Sequence, residues 1–540
     1  MRLSLARLAF LFALALALSF AFWVRMPFLR DGLWRDEALS VSVAESATIS
    51  EIIHLNRVVD YNPPLFNLLL AGWGRLAGFG EASLEAFRVA IGMLALVAVS
   101  LLAWEAFGPA AALLAVVLDF NHPLLHQMAG ELRPYSLSVL LASASLALVL
   151  RLRRRTQTSR PTGAMTVFLG FLLLLLAYSH IGGALIVAYL GLWGIVAAGR
   201  GSGFGRLLAL AAAAAGVVFT AWLPAAWSQF RVGLPYENPA PLDVRIHRLA
   251  ETIGSFTALR KPVAVAAGIA AAAALLFAAI LVLRPWLQGL KDQAPPFVIL
   301  TGAMLAVLVV FSLFSSEPRY RTLPSMLLGV LIAGLVASLL RAASAGGASR
   351  ALAAAGASLL AVSGFLERVP EYARQRRDAG VVSKSGVRDL CRTAGIVRNG
   401  DLLLVAPDYL ASTARYYCGP STVIRGYVRW ENPEIFDLRG WSELWRSPDS
   451  LRETLSTLEK ALAADGRSEF LFVWDEQAVG PPLFLRRHSR DLRDRLALQY
   501  EEISTRLDTG RRESVRSSRF RVLGAQELTG PVPGRYNRLP

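Results

Sequence analysis

The chain has 540 residues, of which 54% are hydrophobic, and it carries a formal net charge of +16 at pH 7. Repeated apolar runs of about 18 or more residues, the length that crosses a bilayer, exclude an ordinary soluble protein and predict a polytopic α-helical membrane protein. The basic residues cluster in the loops between these runs, which is typical of cytoplasmic loops and argues against nucleic-acid binding.

The first apolar run covers residues 8–28 and follows Arg2 and Arg7. It lacks a small-residue cleavage site that leads into a soluble domain, so we interpret it as a retained helix rather than a secretory signal. Positive residues before a span remain on the cytoplasmic side, which predicts a cytoplasmic N-terminus. The alanine- and arginine-rich composition favours a multi-pass protein of the bacterial inner membrane.

Residues 30–85 are then predicted to form an external loop with two short amphipathic patterns, near 36–45 and 48–58. The apolar segment Pro63–Phe79 within it is short and interrupted by glycine and arginine, which favours a helix lying in the membrane interface. A full crossing at this segment would place the basic run 151–155 outside and violate the positive-inside pattern. Residues 30–85 are therefore predicted to stay on the outer side of the membrane.

About eleven spans are predicted in all, and this odd number places the C-terminus outside the cytoplasm. The predicted spans are residues 8–28, 87–107, 109–124, 134–150, 164–179, 181–198, 206–227, 262–283, 296–314, 322–340 and 351–366.

The composition becomes charged and polar after Pro370. Short β-like runs there alternate with helical stretches such as 451–464, which predicts a small external α/β domain over residues 371–540, beside a transmembrane domain over residues 1–370. The β-like runs are 401–407, 421–427 and 469–474. The domain contains no pattern typical of a metal site or a nucleophile elbow.

The chain has two cysteines, Cys391 and Cys418, and both lie in this polar part. A disulfide is compatible with a location outside the cytoplasm. Two unpaired thiols are the alternative, because sequence spacing does not fix the geometry of a pair.

Two candidate site segments lie in the external loop at residues 30–85. Asp36 and Glu37 are adjacent acids just beyond the first span, and a carboxylate there can act as a general base toward a hydroxyl group. The alternative is a helix start, where acids favour the helix dipole. Asp60 and Asn62 precede a Pro-Pro pair and could face a bound head group, or one of them could cap the next helix.

A third candidate segment contains Glu131, Arg133 and Tyr135, in the second external loop just before a span. An arginine at the start of a membrane helix suits phosphate binding, because its planar guanidinium presents a fork of donors. Glu131 could pair with Arg133 or face a substrate. The alternative is an interfacial arginine that reaches toward water beside an anchoring tyrosine.

The fourth candidate segment contains Arg319, Tyr320 and Arg321, at the external start of a late span. Two arginines that flank a tyrosine suit a phosphate or pyrophosphate ligand, and arginines are uncommon on the external side. His180 falls at an external turn between two spans, where a structural role is the alternative to a direct one. No Gly-rich phosphate loop, HExxH motif or paired CxxC motif occurs in the sequence.

In this order, the four segments resemble those of the GT-C membrane glycosyltransferases that use polyprenyl-phosphate sugars, in particular the protein O-mannosyltransferase and aminoarabinose transferase branch. The resemblance covers roughly residues 5–370. The matching segments are Trp34-Arg35-Asp36-Glu37-Ala38, Asn62-Pro63-Pro64-Leu65, Gly130-Glu131-Leu132-Arg133-Pro134-Tyr135 and Arg319-Tyr320.

The resemblance implies transfer of a sugar from a polyprenyl-phosphate carrier to an acceptor hydroxyl at the outer membrane face, with inversion. Asp36 would be the general base, and Arg133 and Arg319 would stabilise the departing lipid phosphate. Glu37 and Glu131 would orient the sugar or Arg133. The helix at 63–79 would line the groove for the lipid tail, and no metal or further cofactor is expected.

Two positions depart from the family pattern. Asn62 stands where the family commonly has histidine or lysine, so a charge that could hold the donor phosphate is missing. Gly130 stands where glutamine is usual, which removes one polar substrate contact. The alternatives to a single-sugar transferase are a transporter or flippase for a lipid-linked sugar, a non-catalytic binding protein, and an enzyme that transfers a whole oligosaccharide. The acceptor could be a protein, a lipid or a glycan.

Overall fold

The structure is a computed structural model of the whole chain. It describes residues 5–60, 62–158, 161–236, 294–314, 318–343, 369–374, 377, 383–427, 429–431, 433, 449–475 and 483–522. The predicted spans 262–283 and 351–366 lie outside the described residues.

In the described residues up to 343, every regular element is a helix. Its α-helices are α1 (Leu5–Arg25), α2 (Arg35–Ala44), α3 (Ile49–Leu55), α4 (Leu65–Ala77), α5 (Glu81–Phe107), α6 (Pro109–Asn121), α7 (Pro123–Ala129), α8 (Tyr135–Gln157), α9 (Gly163–Ser179), α10 (Ile181–Gly199), α11 (Gly203–Phe219), α12 (Leu223–Tyr236), α13 (Ala294–Phe314) and α14 (Thr322–Ala343). A π-helical turn covers Asn56–Asp60, and short 3-10 helices cover Met26–Arg30, Thr220–Trp222 and Pro318–Arg321.

Among the described residues, five helices are long and apolar enough to cross a membrane by length and composition. The first helix ends earlier than the predicted span 8–28, because α1 ends at Arg25 and a 3-10 helix follows. Pro27 accounts for the change, since proline removes a helical hydrogen bond and clashes with the preceding turn. The predicted span 206–227 is interrupted by the 3-10 turn Thr220–Trp222. The segment predicted to lie in the membrane interface forms α4, whose 13 residues are too few for a full span.

The chain forms two compact units, one of Met1–Arg30 with Val43–Ala379 and one of Asp31–Ser42 with Gly380–Pro540. The second unit thus combines the C-terminal region with a segment from the predicted external loop.

In the first unit, α5 packs against α6 and α8, while α9, α10 and α11 pack against one another. Glycines allow α10 and α11 to approach closely. A Cβ atom on Gly194 would lie 2.7 Å from the backbone nitrogen of Ala209, and one on Gly205 would lie 2.5 Å from that of Ala198. Small residues at such positions are typical of membrane helix pairs. Helices in lipid gain no hydrophobic free energy by associating, so close van der Waals contact between their backbones stabilises the pair instead.

The second unit contains a five-stranded sheet with the order β2-β1-β3-β5-β4. The strands are β1 (Leu402–Ala406), β2 (Val423–Gly426), β3 (Glu469–Asp475), β4 (Glu501–Asp508) and β5 (Val515–Arg521), and the helices after residue 380 are α15 (Gly386–Arg392), α16 (Leu410–Cys418), α17 (Ser450–Ala464) and α18 (Leu483–Gln499). β1 is parallel to β2 and β3, whereas β5 is antiparallel to β3 and β4.

The apolar strands of this sheet match the three predicted β-like runs, but β4 and β5 were not predicted. Residues of β4 are mostly exposed and charged, so the strand lacks the apolar alternation that identifies a half-buried strand. The core on one face of the sheet joins α15 and α16 to side chains such as Leu403 and Val405. Cys391 of α15 and Cys418 of α16 form a disulfide. Of the two possibilities left open by the sequence, the disulfide is therefore correct and the pair of free thiols is wrong.

Candidate active site

A buried ion pair joins two of the predicted segments in the first unit. Arg133, in the loop between α7 and α8, donates from Nη1 to Oδ1 of Asp60 at 2.6 Å. Their side chains are only 7% and 2% exposed. An arginine that reaches toward water would leave its guanidinium accessible, so the burial of this pair excludes that alternative for Arg133.

Asparagine side chains hold the other oxygen and the backbone of Asp60. Asn67 of α4 donates to Oδ2 of Asp60 at 2.7 Å and to Oδ1 of Asn56 at 3.0 Å. Asn62 donates to the backbone oxygen of Asp60 at 3.1 Å, and Gln229 donates to that of Asn56 at 3.0 Å. The helix α4 begins after Pro64 without a side-chain cap, so neither Asp60 nor Asn62 caps it. Asp60 is therefore a fixed acceptor that orients Arg133.

Side chains from the third and fourth predicted segments and from the turn before α10 meet beside this pair. We call Arg133, Tyr135, His180, Arg319 and Tyr320 the arginine–aromatic cluster. The ring of His180 lies 5.7 Å from that of Tyr135 and 5.9 Å from that of Tyr320, and the Arg319 guanidinium lies 5.8 Å from the Tyr320 ring centre. Tyr135 interacts electrostatically with Arg133 and Arg319.

His180 is buried within the arginine–aromatic cluster and is influenced by both of its arginines. Burial, followed by the charges of Arg133 and Arg319, lowers the pKa of His180 to about 3. Nδ1 of His180 accepts from the backbone N–H of Gly182 at 3.1 Å and so caps α10. The imidazole is neutral, which fits the structural role. Burial is the main cause, and the two arginines, which act in the same direction, would favour an anion nearby.

The remaining predicted residues of the first unit adjoin the arginine–aromatic cluster or its 3-10 helix. Glu131 is 4% exposed and interacts electrostatically with Tyr135. Arg321 ends the 3-10 helix that carries Arg319 and Tyr320, and it is half-buried. The structure thus brings most of the predicted residues of this unit together, and their assignment to substrate binding stays a prediction.

Asp36 and Glu37 belong to the second unit and lie in the first turn of α2. Oδ1 of Asp36 accepts from Nε of Arg35 at 3.1 Å, and the Asp36 side chain is 19% exposed. Glu37 is fully buried, and its Oε1 lies 2.6 Å from Nζ of Lys384. Both acids occupy the helix start that the sequence offered as the alternative, and this position is compatible with a reactive role for Asp36.

Arg35 is surrounded by groups from distant parts of the second unit. Burial opposes its charge, but Asp36, Tyr409, Glu513 and Asp475 outweigh burial and raise the pKa of Arg35. The backbone N–H of Arg35 donates to Oε2 of Glu513 at 3.3 Å. Burial and the charge of Asp475 raise the pKa of Glu513 to about 8, although Arg35 and a hydrogen bond from Ser385 oppose the rise.

The raised pKa of Glu513 predicts a specific pH dependence of stability. The folded chain retains a proton on this carboxyl group up to about pH 8, whereas the unfolded chain releases it near the ordinary value of 4.5. The contribution of Glu513 to stability is therefore complete below the unfolded pKa and is lost as the pH rises through the folded pKa.

We expect the Glu513→Gln variant to lose this part of the pH dependence. The unfolding midpoint of the wild type should fall more steeply between about pH 5 and about pH 8 than that of the variant. Thermal unfolding followed by tryptophan fluorescence in detergent measures both slopes. Glu453→Gln, at an exposed acid of α17, is the control and should retain the wild-type slope. Equal slopes for wild type and Glu513→Gln would contradict the raised pKa.

Sequence reasoning missed several buried polar residues. Arg25 of α1 donates to the backbone oxygen of Gly92 at 2.6 Å and lies 3.9 Å from Asp119 of α6. Ionisable residues inside apolar runs were the available signal, because such residues are costly in a membrane unless they are paired. The polar partners in the second unit, such as Lys384 and Glu513, follow Asp36 by several hundred residues and carried no sequence signal.

Within the described ranges, no group of three or more His, Cys, Asp or Glu side chains could hold a metal ion. The expectation that the reaction needs no metal stays a prediction.

Comparisons with known proteins identify the fold. No family model matches the chain, and no curated protein matches it significantly. The chain is similar to the crystal structure of ArnT from Cupriavidus metallidurans bound to undecaprenyl phosphate, with a TM-score of 0.55, 15% identity, and coverage of 93% of this chain and 97% of that chain. The apo ArnT structure from the same organism matches with a TM-score of 0.51, 15% identity and the same two coverages, 93% and 97%.

The archaeal oligosaccharyltransferase AglB from Archaeoglobus fulgidus also matches, with 14% identity and a TM-score of 0.48. The match covers 86% of this chain and 69% of that chain. The similarity to ArnT confirms the predicted GT-C-like membrane fold with a small C-terminal α/β domain. The predicted number of about eleven spans stays a prediction.

Proposed function

We propose that this protein is a membrane glycosyltransferase that moves a sugar from a polyprenyl-phosphate carrier to an acceptor hydroxyl group. The observation that carries the proposal is the arginine–aromatic cluster, in which two arginines act on a buried, neutral histidine. A polyprenyl phosphate offers a matching anion at the end of an apolar chain. The fold similarity to an ArnT structure that contains undecaprenyl phosphate supports this ligand class.

Arg133 and Arg319 suit the role of phosphate ligands because of their chemistry and surroundings. Guanidinium groups form charge-assisted hydrogen bonds with phosphate oxygens in a fixed fork geometry. Asp60 holds Arg133 in place at 2.6 Å, so little reorganisation is needed when charge develops on the leaving group. Such fixed charges contribute most in a site with little water. Tyr135 and Tyr320 provide ring surfaces beside the two arginines.

In the proposed reaction, the carboxylate of Asp36 removes the proton of the acceptor hydroxyl group. The acceptor oxygen then forms a bond to the anomeric carbon of the sugar as the bond from that carbon to the phosphate oxygen breaks. The electron pair leaves with the polyprenyl phosphate, and attack from the opposite side inverts the anomeric centre. Glu131 orients the sugar. Glu37, the residue next to Asp36, is proposed to assist in orienting the substrate.

We place the reaction on the outer face of the bacterial inner membrane, with a cytoplasmic N-terminus and an external C-terminal domain. The Cys391–Cys418 disulfide supports this orientation, because disulfides persist in oxidising compartments. The lipid-linked sugar acts as co-substrate, and we propose no further cofactor and no metal. The helix α4 lines the groove that admits the lipid tail.

A transfer assay tests the proposal on purified protein in detergent. The protein is incubated with radiolabelled polyprenyl-phosphate sugars and with a bacterial membrane extract as the source of acceptor. We expect label to move from at least one lipid donor to the acceptor fraction, and sugar-free polyprenyl phosphate to inhibit the transfer as the product. Soluble nucleotide sugars are the control donors and should give no transfer.

Two results would contradict the proposal. Transfer from a nucleotide sugar without any lipid would show that the donor class is wrong. Binding of a lipid donor without transfer to any membrane fraction would favour a transporter or a binding protein, and movement of the donor across reconstituted vesicles would then establish transport.

A further inference from the structure

The ligand-binding position of the C-terminal sheet is occupied by the segment that carries Asp36. The chain forms β1, continues outward to β2, and returns to the other side of β1 as β3. In parallel α/β sheets, ligands bind where the strand order reverses, outside the carboxyl ends of the strands. Tyr409 follows β1 and Asp475 ends β3, and the Tyr409 hydroxyl donates to Oδ2 of Asp475 at 2.6 Å.

Arg35 lies at this position. Its guanidinium lies 4.5 Å from the ring centre of Tyr409 and 5.2 Å from that of Trp34. Its charge interacts with Asp475 and with Glu513, which also accepts from its backbone N–H at 3.3 Å. A side chain from residues 31–42 of the same unit thus takes the place that a separate ligand takes in many α/β domains.

Glu37 provides a second attachment two residues later. Oε1 lies 2.6 Å from Nζ of Lys384, and Oε2 accepts from the backbone N–H of Trp34 at 3.2 Å. Lys384 is 5% exposed, and its backbone N–H donates to the backbone oxygen of Asp31 at 2.9 Å. Removing one partner from such a buried ion pair is strongly destabilising, because the other charge remains desolvated.

These attachments fix the direction of the residue between them. An α-helix turns by about 100° per residue, so anchoring the residues on both sides of Asp36 determines where its carboxylate points. Nε of Arg35 also donates to Oδ1 of Asp36 at 3.1 Å. The Asp36 side chain retains 19% exposure, whereas Glu37 is completely buried.

We propose that the C-terminal α/β domain is a positioning device for Asp36, with Lys384 and the Tyr409–Asp475 pair as positioning residues. Lys384 acts through Glu37, and Tyr409 and Asp475 act through Arg35. This inference rests on the proposed function, in which Asp36 is the general base. It explains why a segment from the predicted external loop forms one compact unit with residues that follow it by several hundred positions.

The test compares Lys384→Gln with Arg519→Gln in the full-length protein. Arg519 forms a buried ion pair of the same unit, 2.7 Å from Asp401, with side chains 8% and 12% exposed. The control therefore destabilises the same domain without contacting residues 31–42. We expect Lys384→Gln to lower kcat by about 10²-fold, the effect of a misplacement of about 1 Å, with the donor KM changed less than about twofold. Arg519→Gln should retain kcat, and Lys384→Arg should recover most of it.

Hydrogen exchange supplies a readout that does not depend on activity. Backbone amides of residues 31–42 should exchange faster in Lys384→Gln than in the wild type and at the wild-type rate in Arg519→Gln. Equal loss of kcat in both variants would overturn the inference, because domain stability alone would then explain the effect. Wild-type kcat and exchange in Lys384→Gln would also overturn it.

The Asp36→Asn background separates this inference from the proposed function. If Lys384 acts through Asp36, adding Lys384→Gln to Asp36→Asn should lower kcat less than about twofold further, and a full additional loss would overturn the positioning role. Unchanged transfer by Asp36→Asn alone would instead contradict the base assignment. The exchange result would in that case still decide whether Lys384 holds the segment.

Discussion

Asp36→Asn is expected to remove nearly all turnover while leaving the protein folded and inserted. The amide has nearly the shape of the carboxylate and can still accept from Nε of Arg35, which lies 3.1 Å from Oδ1 in the wild type. It cannot take a proton from the acceptor hydroxyl group. Because general base catalysis typically contributes about 10²–10⁴-fold, we expect kcat to fall by at least about 10²-fold.

The measurement is the rate of sugar transfer at saturating donor, together with donor binding at equilibrium. Donor binding should change less than about threefold, because the phosphate ligands proposed for the first unit are intact. Asp494→Asn is the matched control, since it makes the same chemical change at a side chain that is 66% exposed. This variant should transfer at the wild-type rate. Transfer by Asp36→Asn at the same rate as the control would show that another group is the base.

The fold was predictable because its signals are local. Apolar length identifies a span without knowledge of its neighbours, and the buried strands β1 and β3 are continuous apolar runs. β4 was missed because its residues are mostly exposed and half of them are charged, and β5 was missed because arginine and serine occupy most of its positions although the strand is mostly buried. The end of α1 was missed because Pro27 was not weighed against the apolar run around it.

The candidate site was predictable only in part, for a related reason. Arg133 and Arg319 were identified because external arginines at helix starts are unusual, and the structure brings them to the same histidine. Asn67 was missed because a single polar residue in an apolar helix has no partner visible in the sequence. Glu37 and Lys384 are in contact although they lie 347 positions apart in the chain. No sequence pattern relates residues at this separation, so their contact could not be predicted from a single sequence.

The departure at Asn62 has a physical interpretation in the structure. The family that the four segments resemble commonly has histidine or lysine there, whereas Asn62 donates to the backbone oxygen of Asp60 at 3.1 Å and lies 3.4 Å from its Oδ1. Asn62 thus supports the acid that orients Arg133. Under the proposed function, the positive charge at the donor phosphate comes from Arg133 and Arg319, so removing either one should have a large effect.

Arg133→Ala is accordingly expected to weaken donor binding far more than acceptor binding. Charge-assisted hydrogen bonds contribute about 1.5–3 kcal/mol each, which corresponds to a loss of about 10–150-fold in donor affinity. The acceptor KM should change less than about threefold. Titration of the purified protein with a labelled polyprenyl phosphate gives the first quantity, and transfer kinetics at saturating donor give the second.

Arg133→Ala also removes the partner that lies 2.6 Å from the buried carboxylate of Asp60. A loss of donor affinity in this variant could therefore arise from the broken ion pair alone. Asp60→Asn breaks the same ion pair and retains the guanidinium, so it separates phosphate binding from structural support. If Arg133 binds phosphate, Asp60→Asn should lose much less donor affinity than Arg133→Ala. Similar losses in both variants would show that Arg133 is structural. Arg200→Ala, at an exposed arginine, controls for the removal of one positive charge and should bind donor as the wild type does.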